Sequence, residues 1–491
     1  MTQPARNPGL YLLSLLGGPL LALPFFLGWI SLGAEPSAAY MAGITLWVAM
    51  WWFTEPVHLG VTAFLPFILI PLFGIAKPKE VASEYMDPII FLFIGGFILA
   101  FAMEKWNLHK RIALTILKKT GSAPSRILFG VMLTGFVISM WVSNTATAMM
   151  LISAILSIVL QMEESGGKPD RFLATGLLLG MAYSTTMGGM STLVGTPPNM
   201  FFYSFFQKQF PGDLSLNFAS WMLYALPITI CLTAVTYAVI CFFWIRKSAR
   251  INFSDSYFSE AYALLGRVKR EEWTVMAVFF TTVILWFTRA DLPLDSFYFK
   301  GWASRLGLQS FANDGMVAVT AALALFLIPS GNRGERVLEW KDVKKLPFDI
   351  ILLFGSGFAL AYGFEHSGLA DWLGTQLERV THLPMIPLLL LTGIIITIVS
   401  EFASNIACVQ LVLPLLASVF HNQEGELLSI LVGATLFSSL GFMMPVATPP
   451  NTIVFGTERI RVKDMMRTGL WVNLSGIVLI TLFTYFFLLG G

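Results

Sequence analysis

The polar side chains best placed to do chemistry in this sequence stand inside apolar runs. Ser139, Ser143 and Asn144 recur as Ser400, Ser404 and Asn405, at a constant offset of 261. VGTPPN (194–199) recurs as VATPPN (446–451), at an offset of 252. Serine hydroxyls, asparagine amide oxygens and the carbonyls of unwound backbone are hard oxygen ligands that suit Na⁺. Ser, Asn and Thr are also strong N-caps, and a capped half-helix points free N–H groups and a positive dipole end at whatever lies before it, which suits an anion. The transmembrane cores and hairpin tips contain no Lys or Arg. The charge of a bound anion would then be offset by co-bound cations and helix ends, which favours a cation-coupled symporter over an anion exchanger.

These residues need elements that break inside the membrane. Ser139 and Ser143 are four apart, as are Ser400 and Ser404, so each pair shares one helical face just before a break. Pro197-Pro198 and Pro449-Pro450 cannot continue a helix. Thr196 and Thr448 before them are pushed out of the helical region, and a second half-helix starts at the proline. A single Pro-Pro is as readily an ordinary kink, and a single Ser-Asn an ordinary packing contact between helices. The doubling of both tips the balance toward function. Glu401 is ionisable at membrane depth and stands as a candidate for function or for a hydrogen-bonded structural role. Glu55 and His58 flank Pro56 in a short connection and read as interface residues. Trp47, Trp51 and Trp52 read as an interface anchor or packing. Cys231, Cys241 and Cys408 have no metal-ligand spacing and form no disulfide framework. No HExxH, acidic metal cluster or nucleophile–base pair occurs at membrane depth, so an enzyme is not expected. A channel is a further alternative, less suited to doubled motifs in inverted halves.

The chain is 56% hydrophobic and 12% charged, too few charges to cover a soluble protein of this length. Apolar runs of about 20 residues cross a hydrocarbon core of about 30 Å. Candidate spans lie at 10–32, 38–54, 57–74, 87–105, 172–206, 219–245, 273–290, 314–329, 348–366, 427–456 and 466–489. The first is read as a retained helix, not a signal peptide. Runs 127–161 and 384–420 are interrupted by the Ser-Asn motif and are read as re-entrant hairpins. The expected fold is therefore an all-α polytopic membrane protein with about 11 transmembrane helices plus two re-entrant hairpins. With the N-terminus cytoplasmic, this topology leaves only Lys77, Lys79, Lys208, Arg289, Lys300, Arg305 and Arg379 outside, of 31 basic residues. GGFILAFAME (95–104) also resembles SGFALAYGFE (356–365), at the same offset of 261. An odd number of spans separates the copies, so the chain contains two inverted repeats, an architecture of many secondary transporters.

SSLGFMMPVATPPNTIV (438–454) resembles the signature of the divalent anion/sodium symporter family, the dicarboxylate, citrate and sulfate transporters. DPIIFLFIGGFILAFAMEKWNLHKRIAL (87–114), the WVSNTAT tip and GTPPN resemble the same family in the same order. The resemblance implies a homodimer in the plasma or inner membrane, with lipid around it, and an elevator-type transporter. It implies scaffold helices at 1–126 and 273–383, joined to the rest in part by a cytoplasmic linker at 246–272. The transport domain would comprise 127–218, the helix 219–245 and 384–491. One sodium site would use Ser139, Ser143, Asn144 and Gly195, and the other Ser400, Ala403, Asn405 and Ala447. Ser143, Asn144, Thr145, Thr196, Pro197, Ser404, Asn405, Thr448 and Pro449 would contact a small anionic substrate. The family's second tip usually reads Ser-Asn-Thr, and Ile406 departs from it, making one end of the anion site partly apolar. The expectation is Na⁺-coupled symport of a divalent anion, foremost a C4-dicarboxylate such as succinate. The alternatives are sulfate or citrate symport, or Na⁺-independent dicarboxylate exchange. No nucleic-acid partner is expected.

Overall fold

The computed structural model describes residues 8–33, 35–121, 123–166, 170–210, 216–248, 256–294, 297–332, 334–376, 383–420 and 424–486. Of the basic residues in the charge pattern, Arg6, Lys168, Arg250, Arg333 and Arg379 lie outside the described residues, as does part of the proposed linker. The described chain is almost wholly helical. The departures are an antiparallel ribbon pairing Leu292–Leu294 with Phe297–Phe299 and an isolated bridge between Pro329 and Arg336.

Four helical stretches are each long and apolar enough to cross a bilayer: Pro78–Lys105, Phe218–Lys247, Phe348–His366 and Val462–Thr484. Several expected spans are shorter or divided. The first helix, Pro8–Phe26, contains Pro19 and Pro24 and gives way to a turn with Gly28 at positive φ, six residues before the end expected from hydropathy. The run 57–74 forms two helices, Leu59–Thr62 and Leu65–Leu72, rather than one. At each Ser-Asn motif two helices that touch one another are joined by four residues. The first pair is Pro124–Ser139 and Asn144–Gly166, the second Met385–Ser400 and Asn405–Phe420.

The chain folds as two compact units. One comprises Met1–Ile90, Pro347–Leu440 and Ile480–Gly491. Within it, helix Pro36–Thr54 packs on the first helix, and Trp51 Nε1 donates to Leu15 O at 3.0 Å. Trp52 is fully buried, so at least this member of the tryptophan cluster serves packing. Helix Phe348–His366 crosses the Pro78–Glu84 region where Gly355 lies against the Tyr85 ring, with no room for a side chain. The second hairpin's outgoing arm packs on Phe348–His366, and Gln410 Nε2 donates to Leu353 O at 2.6 Å.

The other unit comprises Phe91–Leu346 and Gly441–Leu479. Its centre is helix Arg171–Met190, buried from Leu173 to Met190, which packs along the first hairpin arm and against Phe218–Phe243. Two basic residues are buried here, each beside a carboxylate. Arg111 Nε meets Glu272 at 2.5 Å, and Arg289 forms a two-point pair with Asp314. Neither cation stands at a hairpin tip or a helix break.

Candidate functional site

In the first hairpin, helix Pro124–Ser139 runs out through Met140 and Val142, whose N–H groups reach back to Phe136 O and Ile138 O. Ser143 then caps the outgoing helix: its Oγ accepts from Ala146 N at 3.3 Å and its carbonyl from Thr147 N at 3.0 Å. Ser139 Oγ, fully buried, donates to Asn144 Oδ1 at 2.6 Å across the tip. A buried hydroxyl and an amide oxygen are thereby held side by side, both neutral and both hard.

The broken helix supplies the other wall. Arg171–Met190 ends in Gly188-Gly189, and both glycines are required by contact. A Cβ on Gly188 would strike the Phe136 backbone, and one on Gly189 would strike the Asn144 side chain. Gly195 folds back onto Gly189 so closely that a Cβ there would meet Gly189's backbone. Ser139, Asn144 and Gly195, three of the four residues expected at the first sodium site, are thus brought together around Gly189. Thr196 is extended, with φ −145° and ψ 141°, and helix Pro197–Gln209 starts at the proline as expected.

Asn199 was overlooked by sequence reasoning although it closes the TPPN motif. Its Nδ2, fully buried, donates to the carbonyls of Gly189 (3.2 Å), Met190 (3.0 Å) and Thr192 (2.8 Å). One amide therefore satisfies the groups that the unwinding frees. Thr192 helps, donating to Met140 O and accepting from Gly195 N at 3.1 Å. Asn199 Oδ1 is buried with no hydrogen-bond partner among the described residues, an acceptor open to a cation or an ordered water.

The second copy repeats this chemistry within each unit. Ser400 Oγ lies 2.9 Å from Asn405 Oδ1, the counterpart of the Ser139–Asn144 contact, and its one proton is shared with Ser438 O. Asn451 Nδ2 donates to Gly441 O (2.9 Å) and Met444 O (3.1 Å), at the same offset of 252 from Gly189 and Thr192 that relates the two asparagines. Its Oδ1 is likewise buried and unpartnered. Thr448 is extended (φ −138°, ψ 150°), and here its Oγ1 accepts from Asn451 N, a cap Thr196 does not make. Ala403 and Ala447 are buried; alanine can offer a cation only its carbonyl. Ser404 is half-buried, Pro197 half-buried and Pro449 exposed. Thr145 is exposed, whereas Ile406 in its place is buried. Glu401 is buried in the second tip.

Lys105 Nζ bonds Asp342 at 2.6 Å; burial opposes the Asp342 charge, but this hydrogen bond holds its carboxyl below the usual range.

Residues 13–490 match the family described as "Sodium:sulfate symporter transmembrane region". A "Sodium-dependent dicarboxylate transporter SdcS" of Staphylococcus saprophyticus is 37% identical over 97% of this chain and 91% of that protein. The protein of the same name from Staphylococcus aureus is 36% identical over the same shares. Among solved structures, the Alcanivorax borkumensis YdaH transporter, described as having an unusual topology, aligns with a TM-score of 0.51 over 86% of this chain and 89% of that one. Its 13% identity makes this a likeness of fold alone.

Proposed function

This chain belongs to the sodium:sulfate symporter family, whose members are membrane transporters and not enzymes, and from that premise we propose that it drives uptake of a small divalent anion with Na⁺. The substrate is a C4-dicarboxylate such as succinate. The relatives named sodium-dependent dicarboxylate transporters support this reading at the level of substrate class. The observation that carries it is the duplicated pair of neutral oxygens, a buried serine hydroxyl against a half-buried asparagine amide in Ser139–Asn144 and Ser400–Asn405, each at a helix start and without a basic side chain in the motif.

The sodium and anion roles assigned above to the motif residues are part of the proposal. A cation entering between Ser139 Oγ and Asn144 Oδ1 replaces their mutual hydrogen bond with two ion–oxygen contacts. Its charge adds to the positive end of the following helix, and the anion is attracted to a field it would not find without Na⁺. Coupling follows from that order of charges: neither the bare sites nor the anion alone is electrostatically complete. The division into scaffold and moving segments, the homodimer, the elevator motion and a cytoplasmic N-terminus belong to the same reading.

Proteoliposomes decide it. Labelled succinate should accumulate on an inward Na⁺ gradient and not on an equal K⁺ gradient. Failure of succinate, citrate and sulfate alike refutes the proposal. Counterflow that persists without Na⁺ would establish the exchanger instead. The family description names sulfate, so sulfate is included in the competition panel with C4, C5 and C6 carboxylates.

A further inference from the structure

Away from the helix breaks, three segments distant in sequence converge on a cavity of about 130 Å³. They are the start of helix Arg171–Met190, the end of helix Phe218–Phe243 and the start of helix Val462–Thr484. All three lie in one unit. Its lining holds three basic side chains, Arg171, Lys247 and Arg467, against one carboxylate, Asp464. Arg171 is spent on Asp464, to which its guanidinium is bonded. Arg467 stacks over the Phe243 ring at 4.7 Å, which holds its planar fork in place. Trp244 closes one side, its Nε1 fixed on Thr468 Oγ1 at 2.9 Å. Beside it Phe172 is 41% exposed, an apolar surface adjoining the cationic cavity.

We propose that this cavity binds a phosphate oxyanion, and that its source is the headgroup of an anionic phospholipid. Two charges beyond what Asp464 cancels match the chemistry of a phosphate ester, with Arg467 as a geometric fork and Lys247 as a point charge. The cavity lies at helix ends, which the expected topology puts at the level where a headgroup meets water. The topology of the charged loops assigns that level to the cytoplasmic face, where basic pockets between spans take anionic headgroups. The exposed Phe172 ring beside the cations suits the glycerol and first acyl carbons, which a soluble phosphate lacks. None of these residues belongs to the motifs assigned to transport.

Native mass spectrometry on the full chain in detergent, titrated with phosphatidylglycerol or phosphatidylcholine, tests this. Wild type should hold phosphatidylglycerol preferentially. Lys247→Gln/Arg467→Gln should weaken that binding about 30-fold, at about 1 kcal/mol per basic residue near an anionic surface. Lys118→Gln/Lys119→Gln, with the same change in net charge, should leave it unchanged. If the double variant is unstable, the single Lys247→Gln should show about a fivefold loss on the same basis. A parallel arm uses inorganic phosphate alone. Phosphate binding lost in the Lys247/Arg467 variant, with no preference for phosphatidylglycerol, keeps the oxyanion site but overturns the lipid source. Equal phosphatidylglycerol binding by wild type and by both Lys247/Arg467 variants overturns the proposal.

Discussion

Replacing Asn199 with Ala removes one amide and strands three carbonyls. Asn199 Nδ2 serves Gly189, Met190 and Thr192 at 2.8–3.2 Å, and the side chain is fully buried, so no bulk water replaces it. The amide's two protons are shared among three acceptors, so at about 1 kcal/mol net per bond the loss is about 2 kcal/mol, and the third carbonyl left without a donor brings it to about 3 kcal/mol. The second copy offers an internal control. Asn451 serves two carbonyls, Gly441 and Met444, so Asn451→Ala should cost about 2 kcal/mol. Its neighbour Thr452 also donates to Pro445 O at 2.8 Å, a bond the first copy lacks because Met200 stands at that place. The order Asn199→Ala worse than Asn451→Ala therefore rests on two independent features. Asn199→Asp should be at least as damaging as Asn199→Ala, because a carboxylate oxygen would face three carbonyl oxygens without a proton to give. The assay is the apparent unfolding midpoint of the purified protein in one detergent, read for all three variants beside wild type. An Asn199→Ala midpoint equal to wild type, or an Asn451→Ala loss larger than that of Asn199→Ala, refutes the clamp.

Three further outcomes are expected. Ser139→Ala and Ser400→Ala should each raise the Na⁺ concentration for half-maximal uptake about tenfold, since each removes one oxygen contact to a charged partner worth about 1.5 kcal/mol; unchanged Na⁺ dependence in both variants would remove these hydroxyls from the cation sites. Ile406→Thr should reorder inhibition by C4, C5 and C6 carboxylates and sulfate while leaving the Na⁺ dependence alone; the reverse pattern would show the residue to be misplaced. Arg289→Ala leaves the carboxylate of Asp314, 1% exposed, without its partner and should cost about 3–5 kcal/mol; Arg289→Ala/Asp314→Ala should recover part of that midpoint loss, and strictly additive losses would contradict a coupled pair.

The elements read most clearly from sequence were those whose chemistry is local. Two prolines in succession stop a helix wherever they stand, and both Thr-Pro-Pro-Asn copies open a half-helix at the first proline. Ser-x3-Ser-Asn marks a cap as well as a face, and both hairpins turn within four residues of Ser139 and Ser400. Hydropathy alone served less well: it joined 57–74 into one span where a separate short helix begins at Leu65 with Pro66 in its first turn, and it carried the first helix past Phe26. The roles of Asn199 and Asn451 were out of reach for a different reason. Their acceptors are carbonyls of the unwound segment, and which carbonyls face inward is settled only when that segment folds. The available signal was the identical position of both asparagines after their proline pairs. Tyr203, whose hydroxyl reaches Asp314 at 3.2 Å across 111 residues of chain, left no such trace.

The two copies agree at some places and diverge at others, and the difference is informative. They agree where backbone must be broken: the Ser-to-Asn bond across each tip, the extended Thr before each proline pair, and the Asn that closes on the freed carbonyls. An unwound segment in low dielectric leaves several polar groups to satisfy, each costly if left alone, so a workable solution is hard to alter one residue at a time. They diverge at Thr145 and Ile406, one exposed and the other buried, and at Thr196 and Thr448, of which only the second caps its helix. None of these four side chains is needed to hold a break in both copies. A position free of that duty can follow the demands of a ligand, and the two ends of a small anion need not be met by identical surroundings. Under the proposed function, the repeated residues would set where cations sit, while the unmatched pair at 145 and 406 would set which anion is accepted. Exchanging the pair, Thr145→Ile with Ile406→Thr, should then change substrate order while preserving the unfolding midpoint more closely than either asparagine variant.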